Sequence, residues 1–539
     1  MSEAEPPSPR WPWLTVLVVA LAVRVAALLE TSRFPFFTHL RLDHLVYHDA
    51  ALAMARGDLT LGREVLHMSP GYTTFLAMVF AVAGDGPWAW RIAQIALGVA
   101  SAACIGSAAR TLYGERWGIA ATAVAALYGP AVFYEQQMVP SALLFFLHSA
   151  LLALAVRETA GPTRRGVIAL GLLWGIAVVV RPNALLLGAP LLLGLAGLRR
   201  RLSRQRVGFA ALALVAAALV IAPVTLRNRV VGGEWVMVTD SGGLNFYIGN
   251  GPGAIGTFRV PDEVPSAGSA QAQFTAFRAE AERASARSLR WREVDAYWFA
   301  RTRSHIVAHP LEWVRLLAEK AWLFWNAREI PNTEDYTFVR VIHRVLSLPL
   351  VQFGALAPLA LPGTLLLLWR RRREEAVVAG VNIALMAALT GFFVLAHYRL
   401  PAVPGLILAA VGFLKAAVEA GRRRWLFVAA ALAVLPVVLA PKLPKVFDDE
   451  WFKLGFAYHR QNQLTEAEGA YRTAIALEPS NLSAHKNLAV LRGNLGDRED
   501  SRVHWEAVLH IARARQLSSA AREARDALNA LNGMAREVR

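Results

Sequence analysis

The stretch AHYRLPAVPG, Ala396 to Gly405, joins two apolar runs, residues 376–395 and 400–419, each close to the length that crosses a bilayer. A histidine and an arginine at such a junction face one aqueous side or the other, because a charge left in hydrocarbon is costly. Which side they face decides how the rest of the chain is threaded. Of 539 residues, 55% are hydrophobic, more than a water-facing surface conceals. Further runs lie at residues 12–31, 88–110, 118–134, 139–156, 166–180, 184–198, 207–224, 345–369 and 425–440. The expected fold is therefore an all-α polytopic membrane protein with about 11 transmembrane helices.

Basic residues set the orientation, since Lys and Arg are retained on the cytoplasmic side. With the N-terminus inside, the inner connections hold Arg10, Arg110, Arg116, Arg157, Arg164, Arg165, the cluster from Arg199, the run from Arg370, Lys415 and the run from Arg422. The short outer connections then hold only Arg181 and Arg399. AHYRLP faces outward on this reading, in what is expected to be a bacterial plasma membrane. Inward arginines on anionic lipid account for most of the net charge of +17, and no nucleic-acid partner is needed. The first run has no small-residue cleavage site and continues past Arg24, so it reads as an uncleaved helix. Cys104 is the single cysteine, which excludes a disulfide within the chain.

Three outer regions are too long to be connectors. Residues 32–87 include an apolar helix, Tyr72 to Ala83, short enough to lie at the interface. Residues 225–340 open on an alternating, strand-like stretch at Trp235 to Val238, continue through a helical piece from Ser266 to about His309, and end in an amphipathic segment carrying Trp313, Trp322, Phe324 and Trp325. The loop region is accordingly expected to be of mixed structure. After about Pro441 the composition turns polar, and Trp451, Leu454, Gly455, Tyr458, Ala467, Tyr471, Ala474 and Pro479 fall at tetratricopeptide spacings. A weaker second copy holds His485, Leu488, Ala489, Ser501 and Trp505, and residues 516–535 read as a capping helix. Two domains are expected, 1–440 and 446–539, with the repeat module outside the membrane and open to a protein partner or acceptor.

Several outward motifs follow one another in order: Asp43 and Tyr47 in RLDHLVYHDAALA, SPGY at Ser69, Glu135 in FYEQQMVPS, RPN at Arg181, LRNRVVGGEW at Leu226, Asn245 in GGLNFYIGN, Glu329 and Asn332 in EIPN, and HYRLP at His397. This series resembles the GT-C glycosyltransferases, in particular the dolichyl-phosphate-mannose protein mannosyltransferase-like branch. The resemblance implies a multi-helix enzyme that takes a sugar from a polyprenyl-phosphate donor and passes it, with inversion, to an acceptor on the extracytoplasmic face.

The chemistry of the residues points the same way. A departing lipid phosphate needs a cation, and a guanidinium fork matches its oxygens. Arg399, flanked by His397 and Tyr398, is the first candidate, with Arg227 and Arg24 behind it. The acceptor hydroxyl must lose a proton, which a carboxylate can take. Asp43 is the expected base, with Asp49 as fallback. Glu135 is a second candidate catalytic acid, expected to hold the acceptor or a second proton, and Tyr47, Asn245, Glu329 and Asn332 are candidate substrate contacts. Each has a plainer reading as an anchor, cap or loop contact.

Relatives often carry Asp-Glu in the first loop, whereas Asp43-His44 stands here. No metal is expected to be required; a divalent ion there could use His44 and His48, without an evident third ligand. GPGAIG, from Gly251, matches a dinucleotide fingerprint by letter but has neither the strand before nor the helix after. Two other classes remain open, a transporter or flippase of lipid-linked sugars and a membrane-anchored repeat scaffold. The polar residues gather at one face, where a transporter carries them at the midplane.

Overall fold

A computed structural model describes residues 11–38, 40, 42–197, 203–265, 270–370, 372–440 and 447–537. Arg10, the arginines at 199–201, Arg371, Ser266 and the start of the polar region at 441–446 lie outside them. The chain divides into two compact units, Met1–Glu30 with Arg41–Ala440, and Thr31–Leu40 with Pro441–Arg539.

The first unit is helical, and each apolar run expected to cross a membrane has become mainly helix over its described residues. Six of these helices, Trp11–Thr31, Pro87–Tyr113, Ser141–Ala160, Arg204–Val230, Arg373–Gly391 and Ala396–Glu419, are individually long and apolar enough to span. Shorter ones, among them Arg164–Val180, Phe353–Trp369 and Arg424–Leu439, complete the set. The protein is thus an integral, multi-pass membrane protein. Helix dominates because hydrocarbon offers no partner for a free N–H or C=O, so each segment must satisfy its own backbone. Small residues set the packing: a Cβ on Gly171 would lie 2.2 Å from Ala213 O, and one on Gly175 would lie 2.7 Å from Ala217 O. The Arg164–Val180 and Arg204–Val230 helices therefore cross backbone to backbone, the small-xxx-small contact of membrane helices.

The Pro70–Ala83 helix buries Tyr72, Leu76, Ala77 and Phe80 against the Asp43–Ala55, Pro87–Tyr113 and Arg164–Val180 helices. In the long loop the helical piece divides into Ala270–Ser285 and Trp291–Ala308, and the amphipathic segment forms Pro310–Trp325. Trp235 to Val238 is not a strand. The Asn228 amide donates to the carbonyls of both Val236 and Val238 at 3.0 Å, so a side chain takes the place of a neighbouring strand, and no strand forms among the described residues. Aromatic packing holds this region together, with Tyr247, Phe277 and Trp298 buried in one cluster.

The second unit consists of the helices Asp448–Arg460, Leu464–Leu477, Leu482–Asn494, Arg498–Ala514 and Ser518–Glu537. The Tyr471 ring covers Gly455, where a Cβ would meet it at 2.7 Å, which is why a small residue is needed at that repeat position. In the second pair Ser501 Oγ donates to Ala489 O at 2.8 Å, while Trp505 and Val508 pack with Ala524 of the last helix. The segment Thr31–Leu40 joins this unit through a short turn, Pro35–Phe37, that packs on the Asp448–Arg460 helix.

Candidate active site

A cavity of about 480 Å³ opens in the first unit. Asp43 and Tyr47, on the first two turns of the Asp43–Ala55 helix, form part of its wall. Opposite in sequence, the turn at Leu395 to Ala402 brings in His397 and Tyr398. That turn is pinned from several sides. Ser141 Oγ donates to His397 O at 2.9 Å, His148 Nδ1 lies 2.8 Å from Pro401 O, and the Ala396 N–H donates to Ile330 O at 2.9 Å. The last bond draws the EIPN segment alongside, so Asn332 also lines the cavity and its Nδ2 donates to Asp43 Oδ2 at 3.2 Å. Asn245 lines another side, its amide held by Ser241 O at 2.8 Å. His67 lines it too, with Nδ1 2.8 Å from Asp240 Oδ1.

The cation in this wall is Arg181. Its guanidinium lies 3.8 Å from the Tyr398 ring centroid, and its Nη1 is buried with no hydrogen-bond partner. It comes from the RPN turn, where Pro182 ends the Arg164–Val180 helix and Val180, Arg181, Pro182 and Asn183 together face the cavity. A flat cation over a phenol ring is attracted by its quadrupole, yet keeps donors free for an anion. No ion pair reaches Asp43 or Arg181 among the described residues. Tyr47 feels both: burial raises its phenol most, the Asp43 charge raises it further and Arg181 opposes.

The remaining sequence candidates lie outside the cavity wall. Arg24 and Glu135 form a buried ion pair, Nε to Oε2 2.8 Å, and Arg24 Nη1 also donates to Ala126 O at 2.8 Å. Gly98 leaves room for that pair, since a Cβ there would sit 2.1 Å from Glu135 Oε1. Burial pushes the Glu135 carboxyl up to about 7, with Arg24 pulling the other way. Arg399 and Glu329 form a second buried pair at 3.0 Å, and Arg399 further donates to the carbonyls of Phe324 and Asn326 at 3.0 and 2.6 Å. Its guanidinium also lies 3.5 Å from the Phe353 ring centroid. Burial raises the Glu329 carboxyl, against the pull of Arg399. Arg227 holds the loop at 60–64, donating to the carbonyls of Thr60, Gly62 and Glu64.

Asp49 is exposed and bonds His48 at 3.1 Å, whereas His44 faces Glu334 at 3.6 Å. The two histidines thus serve different partners, and no three His, Cys, Asp or Glu side chains cluster as a metal site among the described residues. Gly251 to Gly256 follows a helix, Gly242–Asn250, and not a strand.

The carboxylate of Asp43 and the guanidinium of Arg181 therefore belong to the wall of one chamber that the sequence draws from segments far apart. Residues 67–226 match the family model of the dolichyl-phosphate-mannose-protein mannosyltransferases. The tetratricopeptide repeat model matches residues 448–481. Both resemblances read from the motifs are thus found again, the first over the stretch that carries SPGY, FYEQQMVPS and RPN. No curated protein matches significantly. Among solved structures, the chain is similar to the Archaeoglobus fulgidus oligosaccharyltransferase in complex with zinc and sulfate, at 14% identity and a TM-score of 0.45 over 82% of this chain and 55% of that one. It is also similar to the oligosaccharyltransferase AglB of the same organism with an inhibitory peptide and a dolichol-phosphate, at 14% and 0.44 over 85% and 59%. A third is ArnT from Cupriavidus metallidurans bound to undecaprenyl phosphate, at 17% and 0.45 over 92% and 80%. The chain spans little more than half the length of the archaeal proteins.

Proposed function

We propose that this protein is an inverting glycosyltransferase that takes a sugar from a polyprenyl-phosphate donor at the extracytoplasmic side of the membrane. The observation that carries the reading is the presence of Asp43 and Arg181 in the wall of one cavity, with no ion pair to either among the described residues. Two other arginines near the candidate motifs, Arg24 and Arg399, are bound to glutamates. Arg181 is left with donor capacity, and the match of residues 67–226 to the mannosyltransferase family supports a lipid-phosphate donor.

In this reading the acceptor hydroxyl oxygen attacks the anomeric carbon while the bond from that carbon to the phosphate oxygen breaks. The electron pair leaves on the phosphate, where Arg181 meets the charge with two parallel N–H bonds. The hydroxyl proton passes to Asp43, which Asn332 holds in place. Single displacement inverts the anomeric centre. Tyr398 supports Arg181 from beneath, and His397 and Asn245 face the sugar or acceptor. The apolar residues Ile248, Leu389, Phe392 and Phe393 of the wall suit the first isoprene units and exclude water.

The test uses purified protein in nanodiscs with a radiolabelled polyprenyl-phosphate hexose and a membrane extract as the source of acceptor. Asp43→Asn is expected to lose roughly 10²- to 10⁴-fold in transfer, the contribution of a positioned general base, while still binding donor. Equal transfer by Asp43→Asn and the unaltered protein removes the reading.

A further inference from the structure

The large cavity has a small neighbour. A pocket of about 10 Å³ is lined, among others, by His44, Gln137, Asn332, Thr333, Glu334 and His397. Val139, Asn332, Thr333 and His397 line the large cavity as well, so these four residues stand between the two spaces. Asn332 is the one that donates to Asp43, and His44 follows Asp43 on the Asp43–Ala55 helix. The pocket thus adjoins the wall that carries the base.

Its size and lining suit a single water. About 10–15 Å³ is enough for one molecule if two to four polar groups receive it. His44 Nε2 and Glu334 Oε2 stand 3.6 Å apart, beyond a direct hydrogen bond and within the span that a bridging water closes. His397 adds a ring nitrogen, since its Nδ1 is buried with no partner in the protein, although Ser141 pins its carbonyl. Leaving such a group unpaired costs about 1–3 kcal/mol. Neither His44 nor Glu334 has a part in the transfer step itself.

A base that takes a proton in each turnover must also release it. Donor and acceptor in the large cavity cover Asp43 on that side, because substrates that fill a site expel its water. We infer that the proton leaves by the small pocket, carried by one water held among His44, Glu334 and His397. The Asp43 O–H bond breaks as His397 takes the proton on one ring nitrogen, and the ring releases a proton from the other to the water, ending neutral. The water passes a proton to the Glu334 carboxylate and is itself unchanged. Asp43 is again a carboxylate, and Glu334 yields its proton to the aqueous side. An imidazole suits the crossing because either of its nitrogens can hold the proton, and His44 fixes the water against Glu334. The inference rests on Asp43 as the base; His44 and Glu334 act through it and touch no substrate.

The experiment follows product formation by the full chain in nanodiscs, with a radiolabelled polyprenyl-phosphate hexose and a membrane extract as the source of acceptor, by rapid quench and in the steady state. His44→Gln and Glu334→Gln keep hydrogen-bonding groups but cannot pass a proton on. Both should complete the first turnover within about twofold of the unaltered rate, since Asp43 starts without the proton, and then slow about tenfold in kcat with donor KM held. Added imidazole should restore the later turnovers, as a small carrier does for a missing relay, and leave the first unchanged. Thermal unfolding checks that each variant folds, and if one does not, the other decides. Steady-state rates unaltered in both variants overturn the inference. So does a first turnover slowed as much as the rest, which marks a structural role, and so does a slow phase indifferent to imidazole. Asp43→Asn, run alongside, should lose the first turnover itself. Full activity there would remove the base and with it the proton to be carried, whereas an inactive Asp43→Asn beside unaltered His44→Gln and Glu334→Gln would remove the relay alone.

Discussion

Arg399 and Arg181 are the two cations that the charge rule leaves on the short outer connections, and the molecule uses them in opposite ways. Arg399 is 2% exposed and enclosed by Glu329, by backbone carbonyls and by the Phe353 ring. Arg181 sits at a cavity wall with one aromatic partner and an unsatisfied Nη1. A third cation shows a further solution: Lys320 is fully buried with no carboxylate in salt-bridge range among the described residues, and its Nζ donates to Asn250 Oδ1 at 2.7 Å. A satisfied cation organises the fold. An unsatisfied one beside a cavity is available to a ligand.

The largest expected difference is in folding. Arg399→Leu strands Glu329 as a buried charge, and losing one member of such a pair costs about 3–5 kcal/mol. Arg181→Leu leaves no orphaned acid and should change stability by less than about 0.5 kcal/mol. Thermal unfolding of the two variants side by side checks this, and equal losses would erase the distinction. Next comes Lys320, whose ammonium burial pulls down from 10.5 to about 7. Between those values the unfolded chain holds a proton that the folded one lacks. Stability should therefore rise with pH across that window, by up to about 1.4 kcal/mol per pH unit, and level off at its lowest value below about 7, where both states hold the proton. Lys320→Met should flatten the profile; an unaltered profile would assign it to other groups.

These comparisons also mark where the sequence was legible. The apolar runs became helices because the bilayer leaves no other way to satisfy their backbone, and Gly455 beneath Tyr471 kept the repeat spacing because it reports a contact within 34 residues. Within the site, Asp43, Tyr47, Asn245, Asn332, His397 and Tyr398 do line one cavity. Arg24, Glu329 and Arg399 were read as separate substrate contacts and Glu135 as a second catalytic acid, whereas the four form two buried pairs. Sequence shows a charge and its side of the membrane but not its partner, and Arg24 and Glu135 stand 111 positions apart. Arg181 was visible as one of the two cations that the charge rule leaves on the short outer connections. What distinguished it from Arg399 was the absence of an acid partner among the described residues, a property of the fold. Trp235 to Val238 was read by alternation alone, and a single asparagine amide takes the bonds that a second strand would have made.

The third difference is chemical. Arg181→Ala should lower kcat/KM for a polyprenyl-phosphate hexose by roughly 10- to 100-fold, the value of a charge-assisted contact of about 1.5–3 kcal/mol, with Arg181→Lys recovering only part because an ammonium lacks the fork. An inhibition series with free polyprenyl phosphate should weaken in parallel, since the lost contact is to the phosphate and not to the sugar. Undiminished inhibition would return the phosphate to another cation.

The smallest expected effect concerns the aim of the base. Asn332 Nδ2 donates the one side-chain hydrogen bond described for Asp43, across a wide separation in sequence that the Ala396 to Ile330 bond and the approach of His44 to Glu334 help to close. Removing it in Asn332→Ala costs a net hydrogen bond of about 1 kcal/mol, hence about fivefold in kcat, with donor KM unchanged because Arg181 is untouched. Asn332→Asp should do worse than alanine, since a second carboxylate there would raise the proton affinity of Asp43 and shift the acidic limb of the pH–rate profile upward. If instead Asn332→Ala raised KM alone, its amide would be serving the sugar, and the contrast between a positioned base and a free cation would have to be redrawn around a different acid.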